Sequence, residues 1–340
     1  MAGRACVTGA TGFLGRAIVT DLVAAGRQVR ALTRSESSAQ RLSDLGAEPV
    51  RGDLRDRASL EAAFAGCEAV YHVGGVNAFC LPDPRPMFEV NVAGSRAVVL
   101  AAAAAGVTRL VYTSSAATLD VVSSGSGKRP PRYLSNYARS KHVAEQAVLR
   151  ASAETGLPVI CVNPASVQGP GRTSGTARLL IGYLNGKLPA AVDGPLNVID
   201  IADCTRGHLL AEERGVPGER YLLCGASMTL RSGLALLSRL TGLDDPPRFL
   251  PPRLALAASA CIEVLARARG KHTRFCREMV RTLIEGAPYD GSRAARDLGL
   301  DYTPIEMTMR RTISWYIEQG LILRPLPAFT DVGDAAPTPY

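Results

Sequence analysis

Short apolar segments alternate with helical segments through the first half of the chain. The strand-like segments are 5–8, 28–33, 49–52, 69–73, 110–113 and 159–162. Apolar residues recur at helical spacing in the segments 14–25, 59–64, 88–105 and 133–153. This alternation predicts parallel βαβ units and a doubly wound α/β sheet. Several of the strands are almost wholly apolar, as expected when helices cover both faces of a sheet.

After residue 165 the pattern becomes irregular, and from residue 229 onward it predicts mainly helices and loops. It favours a smaller second lobe that is interwoven with the sheet domain. The predicted sheet domain comprises 1–165, with 197–224 returning to it, and the predicted lobe comprises 166–196 and 225–324. Four prolines and the lack of periodicity predict a disordered tail over 325–340.

The chain has 340 residues, of which 46% are apolar and 21% charged, which excludes global disorder. Its 39 basic and 31 acidic residues give a net charge of +8. Most basic residues are scattered, so no nucleic-acid partner is predicted. The apolar stretch 254–266 is too short to span a membrane, and residues 1–4 lead directly into the first strand. We therefore expect a cytoplasmic protein with no transmembrane segment and no signal peptide.

The eight cysteines include no CxxC pair and no Cys/His cluster with zinc spacing, and the four histidines are well separated. They predict small buried side chains in a reducing compartment and no metal site. The one local basic cluster lies at 267–277, directly after the apolar segment 254–266. Peripheral membrane contact and a solvated corner both stay open for this cluster, and a homodimer stays open as well.

A glycine-rich turn follows the first predicted strand and opens the first predicted helix. It has the spacing GxxGxxG, with glycines at 9, 12 and 15. Glycine permits the tight turn, and the helix N-terminus can hold a pyrophosphate. This strand–turn–helix context predicts dinucleotide binding. The second strand ends without a carboxylate and is followed by Arg34, which favours the 2′-phosphate of NADP(H), although NAD(H) stays open.

A tyrosine and a lysine stand four residues apart in a predicted helix, at Tyr137 and Lys141. Residues at this spacing share a helix face. A lysine ammonium beside the phenol would lower the tyrosine pKa and make Tyr137 a general acid/base for a carbonyl or alcohol oxygen. Ser115 follows a predicted strand, at the edge where ligands bind in open α/β sheets, and could hydrogen-bond the same oxygen.

With these motifs the chain resembles the extended short-chain dehydrogenases/reductases, whose fold is a Rossmann sheet with a C-terminal substrate lobe. The matching segments are TGATGFLG at 8–15, GDL at 52–54, HVGG at 72–75, NVAGS at 91–95, TSSA at 113–116, YARSK at 137–141, NPASV at 163–167, GPG at 169–171, DGSRA at 290–294 and DLGL at 297–300. The dihydroflavonol 4-reductase and 3β-hydroxysteroid dehydrogenase branch is the most similar. Bacterial proteins described as hopanoid-associated sugar epimerases are also similar.

The resemblance implies a catalytic triad of Ser115, Tyr137 and Lys141. It implies that the cofactor contacts are Gly9, Thr11, Gly12, Phe13, Leu14, Gly15, Arg34, Asp53, Leu54, Val73, Gly74, Gly75, Thr113, Tyr137, Lys141, Pro164, Ala165, Ser166 and Val167. Small alanines are usual in the family where Gly74 and Gly75 stand, so we expect a slightly wider cofactor path here. Asn91 is expected to kink its helix rather than take part in catalysis.

Two subfamilies fit the sequence poorly. Dehydratases usually carry an Asp-Glu pair where Ala116 and Ala117 stand, and sugar-nucleotide epimerases usually carry an arginine just before the segment matching 197–200. The lobe has instead an apolar set that favours an apolar or alicyclic substrate, comprising Leu179, Leu180, Ile181, Tyr183, Leu184, Leu254, Leu256, Ile262 and Leu265. We therefore expect an NADP(H)-dependent oxidoreductase that interconverts a ketone and a secondary alcohol. A sugar epimerase that retains its cofactor and a non-catalytic dinucleotide sensor are the alternatives.

Overall fold

A computed structural model of the chain describes residues 3–119, 121–122, 132–271, 273 and 275–330. The strands are β1 Ala5–Thr8, β2 Val29–Thr33, β3 Glu48–Arg51, β4 Ala69–His72, β5 Arg109–Thr113, β6 Val121–Val122, β7 Arg132–Tyr133, β8 Val159–Pro164, β9 Ser166–Gln168, β10 Ala190–Ala191, β11 Pro195–Asp200, β12 Arg220–Leu223, β13 Ala226–Thr229 and β14 Arg248–Phe249. The helices are α1 Phe13–Ala24, α2 Glu36–Asp44, α3 Arg57–Phe64, α4 Arg85–Phe88, α5 Ser95–Ala104, α6 Asn136–Thr155, α7 Thr176–Leu184, α8 Ile201–Arg214, α9 Leu230–Thr241, α10 Pro252–Ala268, α11 Arg277–Glu285, α12 Ser292–Leu298 and α13 Ile305–Glu318.

Seven parallel strands form the main sheet, in the order β12-β8-β5-β4-β1-β2-β3. Successive side chains of a strand point to opposite faces. Accordingly Val7 packs in one buried cluster with α1 and α8, whereas Cys6 packs in a second cluster with α3, α5 and α6. The predicted doubly wound sheet is confirmed, and its two buried faces explain the apolar strands.

The smaller part of the fold lies at the carboxyl ends of the main strands. Just after β8 the chain enters β9, which leaves the main sheet and joins β11 and β13 in a three-stranded sheet. Helices α7, α9 and α13 share a third buried cluster beside this small sheet. Helices α10 and α11 form a hairpin with a small cluster of its own around Ala255 and Val280.

The helix predicted over 88–105 is interrupted. Between α4 and α5 the backbone makes a π-helical turn over Glu89–Gly94. Asn91 lies in this turn, and its side-chain amide hydrogen-bonds both the N–H and the carbonyl of Val76 and donates to the Ser140 hydroxyl. Asn91 thus lies where a π-helical turn interrupts its helix, and its amide contacts the loop after β4.

The run Arg85–Ala104, which includes the π-helical turn, is the one helical segment within the described ranges that is long and apolar enough to cross a membrane. Val98 and Ala102 of this run are fully buried in the cluster beneath the sheet, together with Val70 of β4. The run also packs on α3 and α6. These contacts are those of a core helix in an α/β protein.

The cysteine prediction is wrong for one pair. Cys80 and Cys276 form a disulfide that joins the loop after β4 to the start of α11. They are 196 residues apart, and only the tertiary fold brings these two loops together. Cys261 is exposed, whereas the remaining five cysteines are buried as predicted.

The prediction of a disordered tail over 325–340 is partly wrong. Leu326 and Phe329 pack against the third cluster, and the N–H of Ala328 donates to the carbonyl of Thr241. Residues 325–330 are therefore held on the lobe by apolar contacts that proline-rich composition did not indicate. The remainder of the predicted tail, 331–340, lies outside the described residues.

Candidate active site

The glycine-rich turn lies between β1 and α1 and has room for a phosphate but not for side chains. Gly9 has φ +70°, and a Cβ there would lie 2.6 Å from the nitrogen of Gly74. A Cβ on Gly15 would lie 2.1 Å from the carbonyl oxygen of Gly9. Thr11 and Gly12 are exposed above the turn, and the free N–H groups of Phe13, Leu14 and Gly15 open the helix. The turn therefore fits the pyrophosphate of a dinucleotide.

The end of β4 borders this turn. The prediction that Gly74 and Gly75 leave a slightly wider cofactor path is wrong at this position. A Cβ on Gly74 would lie 3.0 Å from Leu54 Cδ1 and 3.1 Å from Thr8 Oγ1. The space that an alanine would fill is thus already taken by neighbouring side chains. Val73 is held by its N–H to the carbonyl of Thr8. Gly75 is exposed, and a Cβ there would meet the Asn91 amide at 3.1 Å.

Ser115 and Tyr137 meet at the carboxyl edge of the main sheet. Ser115 follows β5, and its Oγ accepts the N–H of Ala117 at 3.2 Å. Tyr137 lies in the first turn of α6, where Ser135 caps the helix by accepting the N–H of Ala138 at 3.0 Å. The Ser115 hydroxyl lies near the Tyr137 phenol and lowers its pKa. The predicted pair of hydroxyls is therefore brought together by the end of one strand and the start of one helix.

Lys141 lies one turn further along α6, and its ammonium is buried. It donates to the Thr113 carbonyl at 2.8 Å and to the Tyr112 hydroxyl at 3.1 Å. Burial lowers the Lys141 pKa to about 8, and the nearby carboxylate of Glu145 acts in the opposite direction. Lys141 is thus a cation held below the edge of the sheet, close to where a ribose would lie if the glycine-rich turn holds a pyrophosphate.

The pKa of Tyr137 contradicts the sequence interpretation. Burial raises this pKa above its ordinary value, and the nearby Ser115 hydroxyl and the charge of Arg172 lower it by less. Lys141 is not among the groups that shift it, because its ammonium is directed to Tyr112 and Thr113. Without a cofactor, the phenol is therefore protonated at neutral pH.

Arg172 was not singled out from the sequence. It follows the GPG segment, and its guanidinium lies over the ring of Phe13, 5.3 Å from the centroid. Its Nε donates to the Ser174 carbonyl at 3.0 Å. Among the described residues no carboxylate forms an ion pair with Arg172. The half-buried cation thus lies between the glycine-rich turn and Tyr137, the two places where an anion or a developing oxyanion would be.

Buried polar side chains support the site from below. Asn163 donates to the Ser115 carbonyl, to Thr118 and, at 2.8 Å, to the carboxylate of Glu145. The Thr113 hydroxyl bonds Nε2 of His208 at 2.9 Å, so Thr113 offers the site its carbonyl and not its hydroxyl. Burial lowers the His208 pKa to about 4. Apart from Thr113, which the resemblance assigned to the cofactor, the sequence did not single out these residues, because they lie on different elements.

The adenosine side of the cleft is formed by the ends of β2 and β3. Arg34 follows β2 and is exposed, and its charge contributes to the lowered pKa of the Asp53 carboxyl. The larger cause of that shift is Arg55, whose Nε donates to Asp53 at 3.1 Å. Leu54 lies inward, against Gly74 and Gly94. These positions are those expected for residues around an adenosine and its 2′ substituent.

The segment 164–167, where β8 passes into β9, contains the residues expected to face the nicotinamide. Pro164 and Val167 are buried, and the N–H of Ala165 donates to the Leu223 carbonyl. The Ser166 hydroxyl is engaged by Thr176 at 3.0 Å and by Gln168. This segment leaves the main sheet where β9 begins, so its backbone lines the gap between sheet and lobe.

The apolar residues assigned to the substrate either pack within the lobe and the hairpin or are exposed. Leu180, Tyr183 and Leu184 are buried in the third cluster, where α7 packs with α9 and α13. Leu254 and Leu265 on α10 are exposed, by 60% and 51%. An apolar side chain that does contact the site is Phe79, whose ring lies 5.7 Å from that of Tyr137.

Comparison with protein families matches residues 5–224 to the NAD dependent epimerase/dehydratase family. Three curated relatives match over most of their length. Sterol demethylase protein B of Methylococcus capsulatus is 35% identical, with 93% of this chain and 99% of the relative covered. A putative dihydroflavonol 4-reductase of Synechocystis is 33% identical, covering 93% and 95%. A 4-hydroxy-2-methyl-3-oxo-4-farnesyl-3,4-dihydroquinoline-1-oxide ketoreductase of Stigmatella aurantiaca is 34% identical, covering 87% and 91%.

Among solved structures, the crystal structure of gox2253 superposes with a TM-score of 0.80 and 32% identity. The match covers 95% of this chain and all of that one. The fold described above is therefore shared with a protein of related sequence.

Proposed function

Because the chain belongs to the NAD dependent epimerase/dehydratase family, as an extended short-chain oxidoreductase of the dihydroflavonol 4-reductase-like branch, we propose that it is an NADP(H)-dependent reductase of lipophilic ketones. The placement of the Ser115 hydroxyl beside a protonated Tyr137 carries this proposal. A protonated phenol at the sheet edge can donate a proton to the oxygen of a ketone as it becomes an alcohol.

A bound nicotinamide would supply the hydride that the carbonyl carbon of the ketone takes up. The residues of this chain do the rest. Tyr137 gives its proton to the carbonyl oxygen, and Ser115 donates a hydrogen bond that stabilises the negative charge developing there. The N-terminus of α6 and Arg172 favour the phenolate that the transfer leaves behind.

Lys141 and the glycine-rich turn hold the cofactor in this proposal. The turn fits the pyrophosphate because side chains are excluded at Gly9 and Gly15. The ammonium of Lys141 would bind the nicotinamide ribose, since it is fixed by Thr113 and Tyr112 close to Tyr137 in α6. Lys141 therefore acts on cofactor binding first and on Tyr137 only through the bound ribose.

The preference for NADP(H) rests on Arg34. Its guanidinium is exposed at the end of β2, where a carboxylate would select NAD(H). Arg34→Ala should weaken NADPH binding by about 1.5–3 kcal/mol, the range for hydrogen bonds to charged groups, and leave NADH almost unchanged. Fluorescence titration of both cofactors measures this, with Arg41→Ala on the neighbouring helix α2 as a control. Equal losses for the two cofactors would contradict the assignment.

The lipophilic substrate class is supported by the aromatic contact between Phe79 and Tyr137 and by the names of the relatives, which include a sterol demethylase component and a farnesyl-dihydroquinoline ketoreductase. The test is turnover of NADPH with a panel of hydrophobic cyclic ketones. We expect oxidation of NADPH with at least one of them and no binding of UDP-glucose by calorimetry. Micromolar binding of UDP-glucose would favour the sugar epimerase. Binding of NADPH without turnover of any ketone in the panel would favour the dinucleotide sensor.

A further inference from the structure

The solvent-facing side of α10 is apolar over its whole length. The exposed positions between its ends are Leu254, Ala257, Ala258, Cys261, Ile262, Val264 and Leu265. At ~100° per residue these positions occupy roughly 160° of the helix circumference. Val264 is 62% and Leu265 51% exposed. The one acidic residue of the helix, Glu263, is turned away and accepts the N–H of Arg277.

Basic residues flank this apolar face at both ends. Arg253 lies at the start of α10, and Arg267, Arg269 and Lys271 lie at and just beyond its end. All four are exposed, and within the part of the chain that the structure describes none of them takes part in an ion pair. A 17-residue helix is ~25 Å long, so the basic groups border an apolar strip of that length.

The basic residues distinguish between two partners that could cover this apolar strip, a second copy of the chain and an anionic bilayer. If a second copy of the chain covered it, antiparallel pairing would bring Arg253 of one helix against Arg267, Arg269 and Lys271 of the other. Parallel pairing would place like groups side by side. Both arrangements oppose positive charges, whereas the phosphates of an anionic bilayer would neutralise them.

The α10–α11 hairpin is attached directly to the candidate active site. Glu278 on α11 accepts the N–H of Cys80, in the loop that carries Phe79, and also the N–H of Asn136, the residue before Tyr137. The disulfide Cys80–Cys276 ties the same loop to the hairpin. Between the hairpin and the start of α6 is an open cleft of about 890 Å³, and its walls include Asn136, Val264 and Arg267.

We infer that the exposed face of α10 docks on an anionic phospholipid surface. The apolar side chains enter the interface, and Arg253, Arg267, Arg269 and Lys271 pair with headgroup phosphates. In this orientation the cleft beside Asn136, which the hairpin borders, faces the membrane surface. The docking goes beyond the proposed reaction and does not depend on it.

The test is flotation of the full chain with phosphatidylcholine vesicles that contain about a third phosphatidylglycerol, a fraction that gives the bilayer a strongly negative surface. The protein should float with these vesicles and much less with pure phosphatidylcholine. Leu265→Glu should reduce partitioning by about tenfold or more, because it places a charge in the interface. Removing Arg267 and Arg269 together should reduce it by about fivefold per residue.

Val216→Glu is the matched control, since Val216 is 55% exposed and lies just after α8, outside the hairpin. It should float like the wild type. Thermal unfolding of each variant checks that the fold is retained, as expected for exposed positions. Failure of the wild type to float with anionic vesicles, or equal flotation of Leu265→Glu, would overturn the inference. So would a wild-type dimer in light scattering that Leu265→Glu converts to a monomer, because the face would then belong to a second copy.

Discussion

Replacing Lys141 by methionine removes a buried positive charge from the candidate site. Lys141 is 6% exposed, and burial lowers its pKa from 10.5 to about 8. The difference between these two pKa values, at ~1.36 kcal/mol per pKa unit, means that the folded state disfavours the charged form of Lys141 by roughly 3 kcal/mol. When folding lowers the pKa of a lysine, the buried side chain destabilises the folded state at every pH at which the same lysine is protonated in the unfolded chain.

The sign of the effect follows from the two pKa values. Below pH 8 the lysine is charged in both states, so the whole cost is present; above pH 10.5 it is neutral in both, and the cost is gone. Lys141→Met removes this cost but loses the hydrogen bonds to Tyr112 and Thr113, worth ~1 kcal/mol each. The variant should therefore be more stable than the wild type by about 1 kcal/mol at pH 7, and less stable by about 1 kcal/mol near pH 10.

Urea unfolding of the cofactor-free protein at the two pH values measures this difference. Lys187→Met is the control, because Lys187 is exposed and should show no change of sign with pH. The stabilised Lys141 variant should also bind NADPH more weakly if the ammonium holds the ribose. A Lys141→Met protein that is destabilised by the same amount at both pH values would show that the buried charge is not a cost to the fold.

Three further predictions concern the tyrosine, the glycine-rich turn and the disulfide. Tyr137→Phe should lower kcat by ~10²–10⁴-fold and leave the Kd of NADPH unchanged, in steady-state and titration assays; a variant that retains most of its kcat would remove this phenol from the mechanism. Gly15→Ala should abolish cofactor binding and lower Tm, since its Cβ would lie 2.1 Å from a carbonyl oxygen, whereas Gly12→Ala, with its nearest contact at 3.3 Å, should keep the Tm. Equal Tm values for these two glycine variants would refute the packing argument. Cys276→Ser should lower Tm and increase hydrogen exchange in the loop around Cys80, and unchanged exchange there would show that the disulfide does not anchor the hairpin.

The sequence by itself determined the fold class and the family. Alternation of strand and helix periodicities is a local signal, and the parallel sheet follows from it because consecutive βαβ units have one favoured handedness. The glycine-rich turn and the pair Tyr137 and Lys141 are also local, since each motif lies within one turn or one helix face. The resemblance that these motifs carry is confirmed by the family match and by the reductase relatives.

Only the tertiary structure decided the electrostatics of the site. The periodicity that places Lys141 on the same helix face as Tyr137 does not tell where its ammonium points, and β5 draws it to Tyr112 and Thr113. The pKa of Tyr137 is raised by the depth at which α6 packs on the sheet, a quantity that no local pattern contains. The charge of Arg172, in the loop after β9, acts on the pKa of the same phenol.

Long-range contacts likewise decided what each apolar or cysteine residue does. Leu180 and Leu265 are the same residue type, yet Leu180 is buried between helices and Leu265 faces solvent. Cys80 and Cys276 pair because two loops meet across 196 residues of chain. Apolar periodicity shows that a helix has an apolar face, but which neighbour covers that face depends on the assembled fold, because burial is a property of the packed elements and not of any one segment.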